Sequence, residues 1–494
     1  MQIISRFVRE QKRYTKKQLQ QMFLCNDQQI IQFLKKLKAY GVLKCVKYSA
    51  RQKELSDLAE EDLIVIEDAV IEDAQEHEAG CYVFVYVGVI TIGSRVLKIY
   101  PKYLRSAPEP LAEMRQVLKV LERYAGSKEQ TVDFYYGEGG QNSFHLLSVI
   151  LYLLHDYYEY GVYVNSEDTV EVNGDGEIVW EKTISECMPL IRKNRPYYAE
   201  IYTRHTDYDD LDYFKRLHEF ILTECSMQLH AAQLEELFDL DPVRLSDAQR
   251  DDFGEKEYIL ERIMAELGVQ FQTHRQLLLK TMYAYIAQEQ KLLDDEHGLS
   301  MYGTNAFHMV WEKVCADVFD SQLLLPLGRL KLPVPLAESF REKKNLLALI
   351  EKPFWQLDGT GTYAEDTLRP DFAAVVQLDG TDCFVILDAK YYVIPAVEGQ
   401  DLSGCPGVGD VTKQYLYELA YRPFVEAHGI GALQNCFVMP AEQGQIKRQG
   451  TVSLSMMKRL GLGDIQVCLV PAGILFQHYL AGTHIELSLL LEHD

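Results

Sequence analysis

No apolar run in this 494-residue chain approaches the roughly eighteen residues that a membrane span needs. Nothing in it is expected to enter a bilayer. The N-terminus is amphipathic (Phe7, Arg9, Lys12) and lacks the apolar stretch of a signal peptide, so a cytoplasmic location is expected. Ten cysteines and thirteen histidines are scattered, with no Cys-x-x-Cys and no His/Cys cluster at zinc spacing. That pattern argues for reduced thiols and against a disulfide framework or a zinc site. There is no G-x-x-x-x-G-K-[ST], so on that signature the chain cannot itself be the motor of an NTPase. Tandem repeats and long low-complexity tracts are absent as well.

Positive charge is scarce: 50 Lys and Arg stand against 73 Asp and Glu, a net of −23. Nucleic-acid binders usually carry a basic footprint, and here it is confined to one end. Residues 1–53 hold thirteen bases against Glu10 and Asp27, a net of +11, which leaves −34 for everything beyond. Residues 54–78 alone hold eleven acids and no base. Such a body binds DNA poorly by itself, which points to a partner that delivers it.

What is present describes a globular protein: 47% hydrophobic and 25% charged residues in a chain long enough for two to four domains. Gln2 to Gln11 reads as an amphipathic helix. Thr15 opens a second, and Asn26 or Asp27 caps a third whose apolar face is Ile30, Ile31, Phe33, Leu34, Leu37 and Tyr40. Gly41 stops it and VLKCVKY starts an extended piece. Three helices and a strand resemble a winged helix-turn-helix, with residues 27–40 in the recognition position. That helix meets either DNA phosphates or another protein, and 54–78 reads as the wing's far strand plus an acidic linker. From Cys81, two strands are expected around Gly88 and Ile92-Gly93. Helices follow at 109–128 and 142–162, then strand, glycine turn and strand over 167–184. From Tyr213 to Leu293 helices dominate, with a break near Asp239–Asp251. The expected fold class is α/β multidomain: a winged-helix-like unit (1–78), a mixed α+β middle region (79–298) and a last domain (299–494) with a central mixed sheet flanked by helices.

The richest stretch is LRPDFAAVVQLDGTDCFVILDAKYYV, residues 368–393. Two apolar runs flank Asp379-Gly380, a dipeptide suited to a two-residue hairpin turn whose central residues both take positive φ. With the turn there, Asp371 faces Asp388 across the ladder, where Cβ atoms lie about 4.5–5.5 Å apart. Carboxylates at that distance repel unless a cation sits between them. Lys390 falls on the same face by strand alternation. Hard oxygen ligands hold Mg²⁺ with several waters, and a nearby lysine stabilises charge developing on a phosphate. The bland alternative is an ordinary hairpin with a solvated acid at each strand end. Residues 304–320 read as a helix with the stripe Phe307, Val310, Trp311, Val314 and Val318, and Glu312 on its flank is either a third acid for the metal or a solvated glutamate. After a loop from Gly404 to Gly409, Asp410 can cap a helix. Lys413 and Gln414 in its first turn either reach the scissile phosphate or are ordinary polar residues. Strands near Asn435–Met439, Ile465–Pro471 and Ile485–Leu491 extend the sheet.

Pro370-Asp371 followed after sixteen residues by Asp388-Ala389-Lys390 resembles the PD-(D/E)XK nuclease signature. The pieces VYVGVITIG…LKIYPKYL, NGDGEIVWEKTI, LRPDF…FVILDAKYY and TKQYLYELAY, in that order, resemble the LlaJI family of restriction endonucleases. More remotely they resemble McrC, the nuclease subunit of the McrBC system. The resemblance spans residues 81 to about 480. It implies a Mg²⁺-dependent endonuclease (Mn²⁺ substituting) of a phage-defence restriction system, acting on double-stranded DNA with a separate McrB-like AAA+ subunit that uses GTP. Carried over by motif, Asp371, Asp388 and the Ala389 carbonyl would bind metal and Lys390 would be the catalytic lysine, while Glu312 and Gln414 match by position. Two other readings are a non-catalytic activator or assembly subunit of a GTPase ring, marked by no metal binding, and a winged-helix regulator that binds DNA without cutting it.

Overall fold

The computed structural model describes residues 3–47, 80–125, 146–164, 166–193, 195–208, 212–288, 291–293, 299–394 and 405–491. The acidic run 54–78 lies outside them. The chain is a mixed α/β structure with several sheets and helices.

Ile4–Arg9 is a strand where the sequence suggests a helix, and it pairs in parallel with Arg95–Tyr100. Its buried residues, Ile4 and Val8, are four apart. That spacing serves one face of a helix and one face of a strand alike, and the distant partner decides between them. The next two helices form as expected. Lys16–Phe23 carries a capping box between Thr15 and Gln18, and Asp27–Ala39 one between Asn26 and Gln29. Ile30, Phe33, Leu34 and Leu37 face the core, while Tyr40 is exposed. Leu43–Val46 pairs antiparallel with Cys81–Phe84, which also pairs with Arg13–Tyr14.

The Cys81 region holds three strands, Cys81–Phe84, Val87–Ile92 and Arg95–Tyr100, because Val85-Tyr86 carries the chain from one sheet into another. The second sheet runs Ile4–Arg9, Arg95–Tyr100, Val87–Ile92, Leu299–Thr304, so it draws strands from all three expected units. Gly88 and Gly303 oppose each other in it, both at positive φ. A Cβ on Gly303 would lie 2.2 Å from the Val87 carbonyl oxygen. Gly303→Ala is therefore expected to cost more than about 1 kcal/mol, read from the midpoint of urea unfolding.

Five middle helices, Leu111–Ala125, Leu146–Tyr160, Tyr213–Ala231, Lys256–Val269 and Thr273–Gln288, fall where apolar periodicity places them. The expected strand pair over 167–184 does not form as a hairpin. Ser166–Val172 and the two-residue Glu177–Ile178 both pair with Tyr202–Tyr208, and Trp180–Glu186 is a helix.

The last sheet has the order Phe372–Leu378, Thr381–Ala389, Ala432–Ala441, Ile465–Pro471, Lys447–Val452. Its two outer pairs are antiparallel and its inner pairs parallel. Alternate residues feed two cores. Ala374, Val385 and Leu387 share one with Val310, Trp311 and Val314 of the Phe307–Val318 helix. Ala373, Val375, Phe384 and Ile386 share the other with Tyr417, Tyr421 and Phe424 of the Val408–Ala427 helix. Helices thus cover both faces. Lys447–Val452 was not foreseen, and the segment expected as a strand near Ile485–Leu491 ends in a short helix, Ser488–Leu491.

Candidate active site

Asp379 and Gly380 take φ of 48° and 75°, the left-handed pair that a two-residue hairpin turn requires. The ladder runs from Leu378↔Thr381 to Phe372↔Leu387, and the next step outward sets Asp371 against Asp388. Neither acid is an ordinary solvated strand end. Asp388 is 4% exposed at the end of a strand whose preceding five residues are all buried. Asp371 is partly buried, and its Oδ2 accepts the Ala389 N–H at 2.8 Å. Burial, then the negative charges of Asp388 and Glu312, push the Asp371 carboxyl up to about 8.

Lys390 reaches back along the same face. Its Nζ lies 2.9 Å from Asp388 Oδ2 and 3.0 Å from Asp410 Oδ1. Burial opposes its charge, but attraction to Asp388 and Asp410 outweighs that, and its pKa is raised. It is held as an ammonium. The backbone N–H of Lys390 donates to the Val438 carbonyl at 2.9 Å, and Trp311 Nε1 donates to the same oxygen at 3.3 Å. That shared acceptor ties the Phe307–Val318 helix to the strand end. Glu312, next to Trp311, is brought into the same field. Its carboxyl is raised by burial, with Lys390 pulling down and Asp388 pushing up.

Gln414 is not in the first turn. The helix starts at Val408 with Gly407 at its N-cap, so Gln414 falls in the second turn and is wholly buried. Its Nε2 donates to the Cys436 carbonyl at 3.1 Å, on the strand beside Leu387. It therefore faces the sheet and not a ligand in solvent, whereas Lys413 is exposed. Asp410 lies inside that first turn and not at the cap.

Sequence reading missed several neighbours. Asp410 is the second partner of Lys390. Tyr417 donates to the Arg369 carbonyl at 2.9 Å, and its hydroxyl is raised by burial and then by Asp388 and Asp371. His308 stands one turn before Glu312 and is lowered by burial, then by Lys102 and Lys390. Spacing held the clue: 308 and 312, and likewise 410, 414 and 417, share helical faces.

The donor chemistry fits a hard divalent cation. Among the described residues no group of three or more His, Cys, Asp and Glu side chains is arranged to hold a metal. Mg²⁺ does not need one, since it is commonly held by one or two carboxylates and keeps its waters. Two facing acids match that number, and Asp371 is raised first by burial and then by the negative charge of Asp388. A ligand carboxyl must lose its proton to bind metal. Mg²⁺ affinity is therefore expected to rise with pH until Asp371 is ionised, at about 8. Calorimetric titrations across that range check this, and a pH-independent affinity would contradict it.

Two facing carboxylates, one of them paired with a lysine, thus stand at the edge hairpin of the last sheet, and comparison with known proteins gives the class of protein. The chain belongs to the LlaJI restriction endonuclease family, whose profile matches residues 86–333 and 337–474. It is similar to the type II restriction enzyme BsuMI component YdjA of Bacillus subtilis (strain 168), with 29% identity over 355 residues, 70% of each chain. Among solved structures, a chain of a refined half-complex from the tetradecameric assembly of Thermococcus gammatolerans McrB AAA+ hexamers with bound McrC aligns with 97% of this chain and 99% of its own. That match has 13% identity and a TM-score of 0.37. A chain of the Thermococcus gammatolerans McrBC complex aligns with 63% of this one and 85% of its own, at 13% identity and a TM-score of 0.25.

Proposed function

We propose that this chain is the Mg²⁺-dependent nuclease subunit of a restriction system, cutting double-stranded DNA together with a separate AAA+ GTPase. The observation that carries the reading is the Asp371–Asp388 pair, partly buried and mutually repelling, with Lys390 bound to one of them. Family membership supports the class of activity. We read residues 299–494 as a PD-(D/E)XK nuclease domain, supported by the antiparallel hairpin at the edge of a mixed sheet with a helix on each face.

In this reading Asp371, Asp388 and the Ala389 carbonyl would hold Mg²⁺ or Mn²⁺, with Glu312 as the third acid on the facing helix. A bound Mg²⁺ polarises a phosphoryl oxygen and lowers the pKa of its water. Asp410 gives Lys390 a second anchor besides Asp388. The Lys390 ammonium then stabilises negative charge on the phosphate as water attacks phosphorus and the P–O bond to the leaving sugar oxygen breaks. Gln414 positions the Val408–Ala427 helix against the sheet through Cys436.

We read the motor as a separate subunit, in keeping with a sequence that contains no Walker A loop and is acidic beyond residue 53. Lys36 and Lys38 are exposed on the Asp27–Ala39 helix, and we read that face as one that meets either DNA phosphates or another protein. The test is incubation with plasmid and phage DNA, in Mg²⁺ or EDTA, with and without GTP and the product of the adjacent gene. Cutting only with Mg²⁺, and strengthened by GTP and that product, is expected. No cutting under any condition would overturn the reading.

A further inference from the structure

Glu10 closes the N-terminal strand, yet its side chain is buried. Its Oε2 accepts the Tyr391 hydroxyl at 2.6 Å and the Lys102 N–H at 3.1 Å. One carboxylate thus joins the end of the Ile4–Arg9 strand, the turn after Arg95–Tyr100, and the residue next to Lys390. The Lys102 Nζ is fixed by Gln11 Oε1 at 3.0 Å and lies 4.7 Å and 5.6 Å from the ring centres of Tyr391 and Tyr392. The Tyr391 ring also packs on Phe307, centroids 5.3 Å apart, at the start of the helix that carries Glu312. One turn on, Trp311 reaches the Val438 carbonyl that Lys390 also uses.

We propose that Glu10 and Tyr391 are a positioning pair for cleavage. Through the Tyr391 hydroxyl, the N-terminal strand sets the Lys390 strand end and the Glu312 helix in register against Asp371 and Asp388. Neither residue touches DNA or metal. The N-terminal strand is then part of the catalytic scaffold, and cutting depends on its being seated. Misplacing catalytic groups by about 1 Å costs on the order of 100-fold in rate, so a single buried hydrogen bond at this junction has leverage.

This rests on the nuclease reading, and the experiment separates the two. Full-length parent, Tyr391→Phe, Glu10→Gln, the double variant and Lys390→Ala are each purified with the adjacent gene's product and assayed for plasmid cleavage. Rates are expressed per folded molecule, and thermal unfolding is followed in parallel. Tyr391→Phe keeps the ring packing, so it decides the matter if Glu10→Gln folds poorly. Each single variant is expected to lower kcat by about 10- to 100-fold with KM for DNA unchanged. The double variant is expected to be no worse than either, as for residues acting as one unit. Unchanged kcat per folded molecule in Tyr391→Phe, or single effects that multiply in the double variant, would overturn the proposal while leaving the nuclease reading standing. If Lys390→Ala cuts like the parent, both fall together.

Discussion

Asp371→Asn is expected to give a protein that melts at a higher temperature than the parent in EDTA above about pH 8, and that no longer cuts DNA. The sign follows from the raised carboxyl. A group whose folded pKa exceeds its unfolded value contributes stability at low pH, and that contribution is lost as pH rises towards the folded pKa. Asp371 starts from 3.8 and is pushed to about 8, so the parent loses stability across that interval as the carboxyl is forced to ionise while partly buried and beside Asp388 and Glu312. Asparagine stays neutral and still offers an oxygen to the Ala389 N–H. Relieving a functional-site repulsion is worth about 1–2 kcal/mol. On the proposed reading, in which Asp371 would hold the metal, cleavage is expected to fall by on the order of 10²–10³. Mg²⁺ should stabilise the parent and leave the variant nearly unmoved. Thermal melts in EDTA and in Mg²⁺ across pH, with plasmid cleavage alongside, give the comparison. A variant less stable than the parent above pH 8 would show that the acids are not repelling as placed.

Lys390→Ala is expected to lose on both counts. The ammonium lies between Asp388 Oδ2 and Asp410 Oδ1, with side-chain exposures of 19%, 6% and 22%. Removing it leaves two acids close together with their shared cation gone. Breaking a buried pair from one side costs about 3–5 kcal/mol, and loss of the charge that meets the developing phosphate anion costs on the order of 10²–10³ in rate. Lys390→Arg should restore part of the stability and little of the cleavage, since a planar fork does not occupy the place of a compact ammonium. Urea unfolding and cleavage assays read the two effects separately. A Lys390→Ala protein as stable as the parent would mean that the two salt bridges contribute nothing.

The hairpin was legible because its constraint is local. A two-residue turn of Asp379 and Gly380 leaves one register, and that register alone sets Asp371 opposite Asp388. The helices at 16–23, 27–39 and 307–318 were legible for the same reason, through caps and apolar spacing within one element. What was not legible depends on partners far along the chain. Ile4–Arg9 satisfies a helical spacing and becomes a strand only because Arg95–Tyr100 lies beside it. Glu10 looks like a stray acid in a basic segment until Tyr391 is seen on it, 381 residues away. Asp410 is a good capping residue and so points to a helix start beside Gln414; the true start, at Val408, turns Gln414 inward.

The most direct test of the central claim is where a divalent ion sits. Crystals of the full chain grown with Mn²⁺ should show an anomalous peak between the carboxylates of Asp371 and Asp388, with the Lys390 ammonium beside it and held by Asp410. The same peak should be missing from Asp388→Asn. Mn²⁺ bound elsewhere, or no Mn²⁺ at this hairpin in a preparation that cuts DNA, would contradict the account.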